Sequence, residues 1–141
     1  MKLLVACDGS KPSLRAVRYA IELVGALSKG GRITLISVHD DISLSHVSRF
    51  VGKDTIDDYL RERSDKDLAA ARRALDKAGV AHDMIIRRGH VAAEIADAAA
   101  KGRFDMVVMG SKGRSALRDL LIGSVALRVT ELSPVPTLLV K

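Results

Sequence analysis

A chain of 141 residues that is 48% hydrophobic can bury one substantial core and is short for two domains. The net charge is +6, but the 23 Lys and Arg are scattered among 17 Asp and Glu and aromatic residues make up only 3%, which argues against a dedicated nucleic-acid surface built on base stacking. No apolar run approaches the roughly 18 residues of a membrane span; the run Leu3 to Cys7 breaks at Asp8 instead of continuing as a signal peptide, and the single cysteine excludes an internal disulfide, so the expected location is the cytoplasm.

In chain order, Lys2 to Cys7 reads as a first strand, apolar from Leu3 onward. Asp8-Gly9-Ser10 is a turn, and Ser10 can cap a helix that tolerates Pro12 in its first turn. Leu14, Val17, Ile21 and Val24 form that helix's apolar stripe, flanked by Ala16, Ala20, Leu23 and Leu27, with Gly30-Gly31 as its end. Arg32 to Val38 is a second strand. From His39 to about Lys53 no period survives, which predicts a loop with a helical turn near Ser45 to Val51. A helix from about Asp54 to Ala78 turns Leu60, Leu68, Ala71 and Leu75 inward and stops at Gly79.

Ala81 to Arg87 is the third strand, centred on Met84, Ile85 and Ile86. A short helix, Val91 to Lys101, carries Val91, Ile95 and Ala98 on one side. Phe104 to Met109 is a buried fourth strand. After the glycine-rich stretch that follows, Val125, Ala126, Val129 and Leu132 recur at helical spacing. Val135 to Val140 is the fifth strand, and Pro136, which cannot donate to a ladder, predicts a sheet edge. Alternating strands and helices predict an α/β fold, an open parallel sheet with helices on both faces.

The residues that carry chemistry lie between strand four and the last helix, in GSKGRSALRDLLIGSV, Gly110 to Val125. Gly110 and Gly113 allow positive φ or a close approach to a ligand, and successive N–H groups there can form an anion nest. Gly123-Ser124, with Ser124 as an expected N-cap, would aim a helix N-terminus at the same place. Two amide clusters facing one cavity suit a polyphosphate. Ser111, Ser115 and Ser124 add hydroxyls; Lys112 and Arg114 add positive charge. A lone GxxG is more often a plain strand-to-helix connection; the second glycine element at fixed distance is what favours a ligand.

Gly110, two residues, Gly113, nine residues, Gly123-Ser124 resembles the nucleotide-binding pattern of the universal stress protein family in its ATP-binding branch. VVMGSKGRS, LIGSVALRV and Val5-Ala6-Cys7-Asp8-Gly9-Ser10 extend the resemblance over the whole chain as one domain, residues 1 to 141. The family implies a Rossmann-like, doubly wound sheet in the order 3-2-1-4-5, with the ligand beyond the carboxyl ends of strands 1 and 4, where the winding reverses. It implies ATP with Mg or Mn as ligand, with contacts at Asp8, Val38, Met109, Gly110, Ser111, Gly113, Arg114, Ser115, Gly123, Ser124 and Val125. Val38 would border adenine. Asp8 would meet ribose or a cation bridging the phosphates; its alternative role is turn formation. Lys112 stands where many relatives carry histidine. The family also implies a homodimer through the fifth strand.

Phosphoryl transfer needs a positioned nucleophile as well as a phosphate cradle, and the sequence carries no GxxxxGK[ST] loop and no kinase-type set. The expected role is therefore a nucleotide-dependent stress-response regulator, with at most weak ATP hydrolysis and regulatory protein partners that the sequence does not identify. The alternatives are an interaction protein of the same fold without nucleotide, an AMP or cyclic-AMP binder, and a slow ATPase. His39, His46, His82 and His90 show no metal-ligand spacing. Cys7 reads as a buried, inert thiol. Arg118 and Asp119 carry only weak expectations of phosphate contact and water activation.

Overall fold

The structure, a computed structural model, describes residues 1–40, 50–114 and 121–141. The expected helical turn lies mostly outside the described residues, as do His46, Ser115, Arg118 and Asp119. The elements follow in the order β1 (Lys2–Ala6), α1 (Lys11–Leu27), β2 (Arg32–His39), α2 (Lys53–Ala78), β3 (Ala81–Arg88), α3 (Val91–Lys101), β4 (Met106–Gly110), α4 (Ser124–Leu132) and β5 (Thr137–Val140). All neighbouring strands are parallel, in the expected order β3-β2-β1-β4-β5.

Side-chain alternation along the strands divides the core into two layers. Leu3, Val5, Ile33, Leu35 and Val108 point to one face, where Ala16, Val17 and Ala20 of α1 and Leu68, Ala71 and Leu75 of α2 cover them. Leu4, Ile36, Val107 and Met109 point to the other, against Ala92, Ile95 and Ala99 of α3 and Ala126 and Val129 of α4. Strands sandwiched in this way need apolar residues at nearly every position, which is why β1 and β4 read as unbroken apolar runs. Each fully buried Leu or Val contributes about 1.5–3 kcal/mol.

Several element ends differ from the sequence reading. Cys7 lies just past β1, although its N–H still donates to Ile36 O at 3.0 Å. β4 starts at Met106, not Phe104, because Asp105 caps the neighbouring strand instead of extending its own. The Lys2 N–H donates to Asp105 Oδ2 at 2.7 Å, and the Asp105 N–H returns to Lys2 O at 2.9 Å. α1 closes at Ser28, whose N–H donates to Val24 O, three residues before the expected end at Gly31. β5 begins at Thr137, and Pro136 enters the pairing only through its carbonyl, which accepts from Val107 N–H at 2.9 Å. The edge position that Pro136 predicted for β5 is observed.

The expected caps of α1 and α2 form. Ser10 accepts from Ser13 N–H at 3.3 Å, and Gly79 ends α2 in the left-handed region at φ 65°. With 26 residues α2 is about 39 Å long, whereas the eight residues of β2 span roughly 26 Å. The helix therefore outruns the sheet. Its first turns project past the strands' carboxyl ends, where Ile56 and Leu60 form a small cluster of their own apart from the main core. Among the described residues, no helix is long and apolar enough to cross a membrane.

Candidate functional site

β1 and β4 lie side by side in the middle of the sheet, yet their connections leave toward opposite faces, since α1 and α4 cover different layers. The two chain segments part as they leave the sheet. A cleft of about 590 Å³ opens between them, within the range of small-molecule sites.

Its floor is backbone. Gly110 closes β4 under the start of α1, and a Cβ there would fall 3.0 Å from both C and Cβ of Pro12. The chain then turns back: Ser111 donates its N–H to Val140 O at 2.8 Å and accepts from Gly123 N–H at 2.7 Å. That second bond joins the two glycine elements. At Gly123 a Cβ would meet Lys112 Cα, Ser111 O and Gly113 N at 3.5 to 3.6 Å, so a branched side chain would push them apart. The first turn of α4 follows at once. Its first intrahelical bond to Gly123 runs from Leu127 N–H to Gly123 O at 2.9 Å, so the N–H groups of Ser124, Val125 and Ala126 have no carbonyl within the helix to meet. Those residues line the cleft together with Lys112, Gly113 and Arg114.

Two details correct the sequence reading. Gly123, not Ser124, is the N-cap of α4, and no side chain caps this helix. Among the described glycines, positive φ falls at Gly9, Gly30, Gly79 and Gly89, not at Gly110, Gly113 or Gly123. Of the three, only Gly110 is a place where the chain's own packing leaves no room for a Cβ; at Gly113 and Gly123 a Cβ would make ordinary contacts at 3.5 to 3.6 Å.

Asp8 enters from the end of β1, where its turn-forming role is observed. Its Oδ1 accepts from Ser10 N–H at 3.0 Å, forming the turn into α1, while Oδ2 lies 3.6 Å from the position of a Cβ on Gly113, across the cleft. Burial pushes this carboxyl up, but hydrogen bonds from Ser10 and Ser13 and the positive charge of Arg114 outweigh it, holding Asp8 below its ordinary range and ionised. Cys7 is buried with its Sγ 3.6 Å from Ser13 Oγ, and burial pushes the thiol up, as expected of an inert group.

Val38, Met109, Gly110, Gly113, Arg114, Gly123, Ser124 and Val125 all line the cleft with Asp8. Ser111 does not: it is buried, and its N–H and carbonyl hold the turn together. The apolar side of the cleft, toward α3 and α4, is made by Val38, Val91, Ile95, Met109 and Ala126.

The opposite wall is absent from the sequence reading. Tyr59, Arg63 and Asp67, spaced four apart along α2 from its projecting first turns to the level of the strand ends, face the cleft along one stripe. Arg63 Nη1 donates to Tyr59 Oη at 3.3 Å, and Arg114 Nη2 donates to Asp67 Oδ1 at 2.5 Å. His39 Nε2 stands 2.5 Å from the buried Ser64 Oγ, tying the end of β2 to the same helix. Burial holds His39 below its ordinary pKa; Asp67 opposes this shift, while Arg63 and Arg114 reinforce it. The four-residue spacing was available in the sequence, but the run of alternating charges around it also fits a solvated helix face. Nothing local says that α2 overhangs the sheet.

An open parallel α/β sheet with an amide-lined cleft at the reversal of its winding defines a fold class that takes anionic ligands at this point. The model of the universal stress protein family matches residues 1–141, and the chain belongs to that family. It is 32% identical to a universal stress protein of Methanocaldococcus jannaschii over 146 residues, covering 99% of this chain and 81% of that one. It is 31% identical to the universal stress protein YxiE of Bacillus subtilis, covering 99% and 98%. A solved protein whose biochemical function was assigned from its structure superposes with a TM-score of 0.86 at 26% identity, over 99% of this chain and 94% of that one. More distant members share the fold: one solved with cyclic AMP (TM-score 0.69, 24% identity), one from Archaeoglobus fulgidus with dAMP (0.72, 19%), and one from Arabidopsis thaliana with AMP (0.69, 19%), each covering all of this chain and at least 91% of its own.

Proposed function

We propose that this protein binds an adenine nucleotide, ATP with Mg or Mn, in the cleft beyond β1 and β4, and acts as a nucleotide-dependent stress-response regulator. The observation that carries the reading is the bond from Gly123 N–H to Ser111 O at 2.7 Å. It brings Gly113 and the start of α4 to one cavity, where unsatisfied N–H groups and a helix dipole suit phosphate. In this reading the phosphates lie over Gly110, Gly113, Ser124 and Val125 with Arg114 beside them. The ribose faces Asp8, and the purine fills the apolar side between Val38 and Met109. An ionised Asp8 also suits a divalent cation carried in on the phosphates. Relatives solved with AMP, dAMP and cyclic AMP support the adenine half of the assignment.

ATP has about 31 heavy atoms, and at roughly 0.3 kcal/mol per atom its binding reaches about −9 kcal/mol, a sub-micromolar dissociation constant before any penalty. We extend the proposal to a cytoplasmic homodimer formed through β5, which ends the sheet with Thr137-Leu138-Leu139-Val140 at its edge, and to protein partners that read the nucleotide state. Calorimetry with ATP and magnesium, alongside AMP and cyclic AMP, tests the ligand. Saturable binding of ATP is the expected result, together with adenine nucleotide released when freshly purified protein is denatured. No heat with any of the three at millimolar concentration would overturn the reading.

A further inference from the structure

We infer that Asp67 sets how much phosphate charge the cleft accepts, by occupying Arg114. The inference deepens the nucleotide reading and rests on it.

The pair has a built seat. A Cβ on Gly9 would fall 2.9 Å from Arg114 Nη2, 3.0 Å from Asp67 Oδ1 and 3.1 Å from Asp67 Cα. The bare backbone of Gly9, at φ +79°, thus leaves the space in which α2 and the glycine stretch meet. The two partners are unequally exposed. Asp67 is sunk into the wall with 15% of its side chain exposed, whereas Arg114 keeps 45% and lines the cleft. A phosphate that approaches Arg114 must share it with a mostly buried carboxylate, and it feels that carboxylate's charge in a medium that screens less than water.

Among the described residues, the charges lining the cleft are Asp8, Asp40 and Asp67 against Arg63, Lys112 and Arg114, three of each sign. With Asp67 holding Arg114, a bare triphosphate meets more repulsion from that carboxylate than a monophosphate or a triphosphate already carrying its cation. Removing the charge of Asp67 makes the lining one unit more positive. The gain should scale with the charge of the ligand, and salt should reduce it.

The test is calorimetry on the full chain with metal-free ATP, ATP with magnesium, AMP and adenosine, comparing wild type with Asp67→Asn. Asp67→Asn should tighten metal-free ATP about tenfold and AMP or magnesium ATP about threefold, leaving adenosine unchanged. These gains should shrink at high salt, and Asp67→Glu should restore the wild-type order. Arg114→Gln breaks the same pair from the other side. It should weaken metal-free ATP more than adenosine, and in its background the gain from Asp67→Asn should be smaller. If Asp67→Asn weakens ATP, or moves all four ligands equally, the inference is overturned while the nucleotide reading stands. A wild-type protein that binds none of the four overturns both.

Discussion

The floor and the α2 wall of the cleft are built on different principles. The floor is backbone: Gly110, Gly113 and Gly123 contribute by lacking a Cβ, and the bond from Gly123 N–H to Ser111 O sets where the first N–H groups of α4 face. The wall is side chain: Tyr59, Arg63 and Asp67 reach in from a helix that projects beyond the sheet. At Gly110 such a floor leaves no room for a side chain, and in the proposed reading it sets which class of ligand enters. The wall can change residue by residue and adjusts which member of that class is held.

Substitutions can break this contrast or sharpen it. The largest effect is expected on the floor, at Gly123→Val. Its Cβ already touches Ser111, Lys112 and Gly113 at 3.5 to 3.6 Å, so its two further methyl groups are expected to crowd the joint between the two amide clusters. Nucleotide affinity should fall about 100-fold or more while circular dichroism shows the fold retained; binding within a few-fold of wild type would mean that the amides are not the phosphate site. Next comes Gly110→Ala, which forces a Cβ to 3.0 Å from Pro12. Overpacking of this kind costs about 1–3 kcal/mol, readable as a lower urea midpoint. Gly113→Ala, whose Cβ meets only Asp8 Oδ2 at 3.6 Å, should leave the midpoint nearly unchanged and lose affinity instead.

The smallest effect concerns Asp8, where floor and wall meet. Its carboxyl lies below its ordinary range in the folded protein, since hydrogen bonds from Ser10 and Ser13 and the charge of Arg114 outweigh the burial that opposes them. The sign follows: its contribution is fully present above the unfolded value of about 4 and is lost as pH falls through the folded one. Urea midpoints measured from pH 6 to pH 3 should decline less steeply for Asp8→Asn than for wild type. An equal decline would show that the carboxyl gains nothing from its setting.

The same division explains what could be read before the structure. Strand and helix alternation points to the parallel α/β class, whereas the sheet order and the expected site come from the resemblance to the universal stress protein family, and the order is the one observed. The floor was legible because its chemistry is local: Gly110 to Ser124 is a single stretch in which the spacing fixes the backbone's options. Details inside it were not. Whether Gly113 needs positive φ or only room, and whether Ser111 faces the ligand or pins the turn, depends on Pro12 and Val140, which are distant in sequence. The wall was missed for a related reason. Tyr59, Arg63 and Asp67 sit in a charged run that equally fits a solvated face, and only the packing of α2 along the ends of the strands brings them to the cleft. Strand ends such as Asp105 shifted because a side chain replaced a backbone partner.

The measurement closest to the central claim is a titration of isotope-labelled protein with ATP and magnesium, followed through its backbone amide resonances. The account predicts that the largest shifts fall on Gly113, Ser124, Val125 and Ala126, with smaller ones at Val38 and Arg63. Shifts confined to other surfaces, or none at saturating nucleotide, would contradict it.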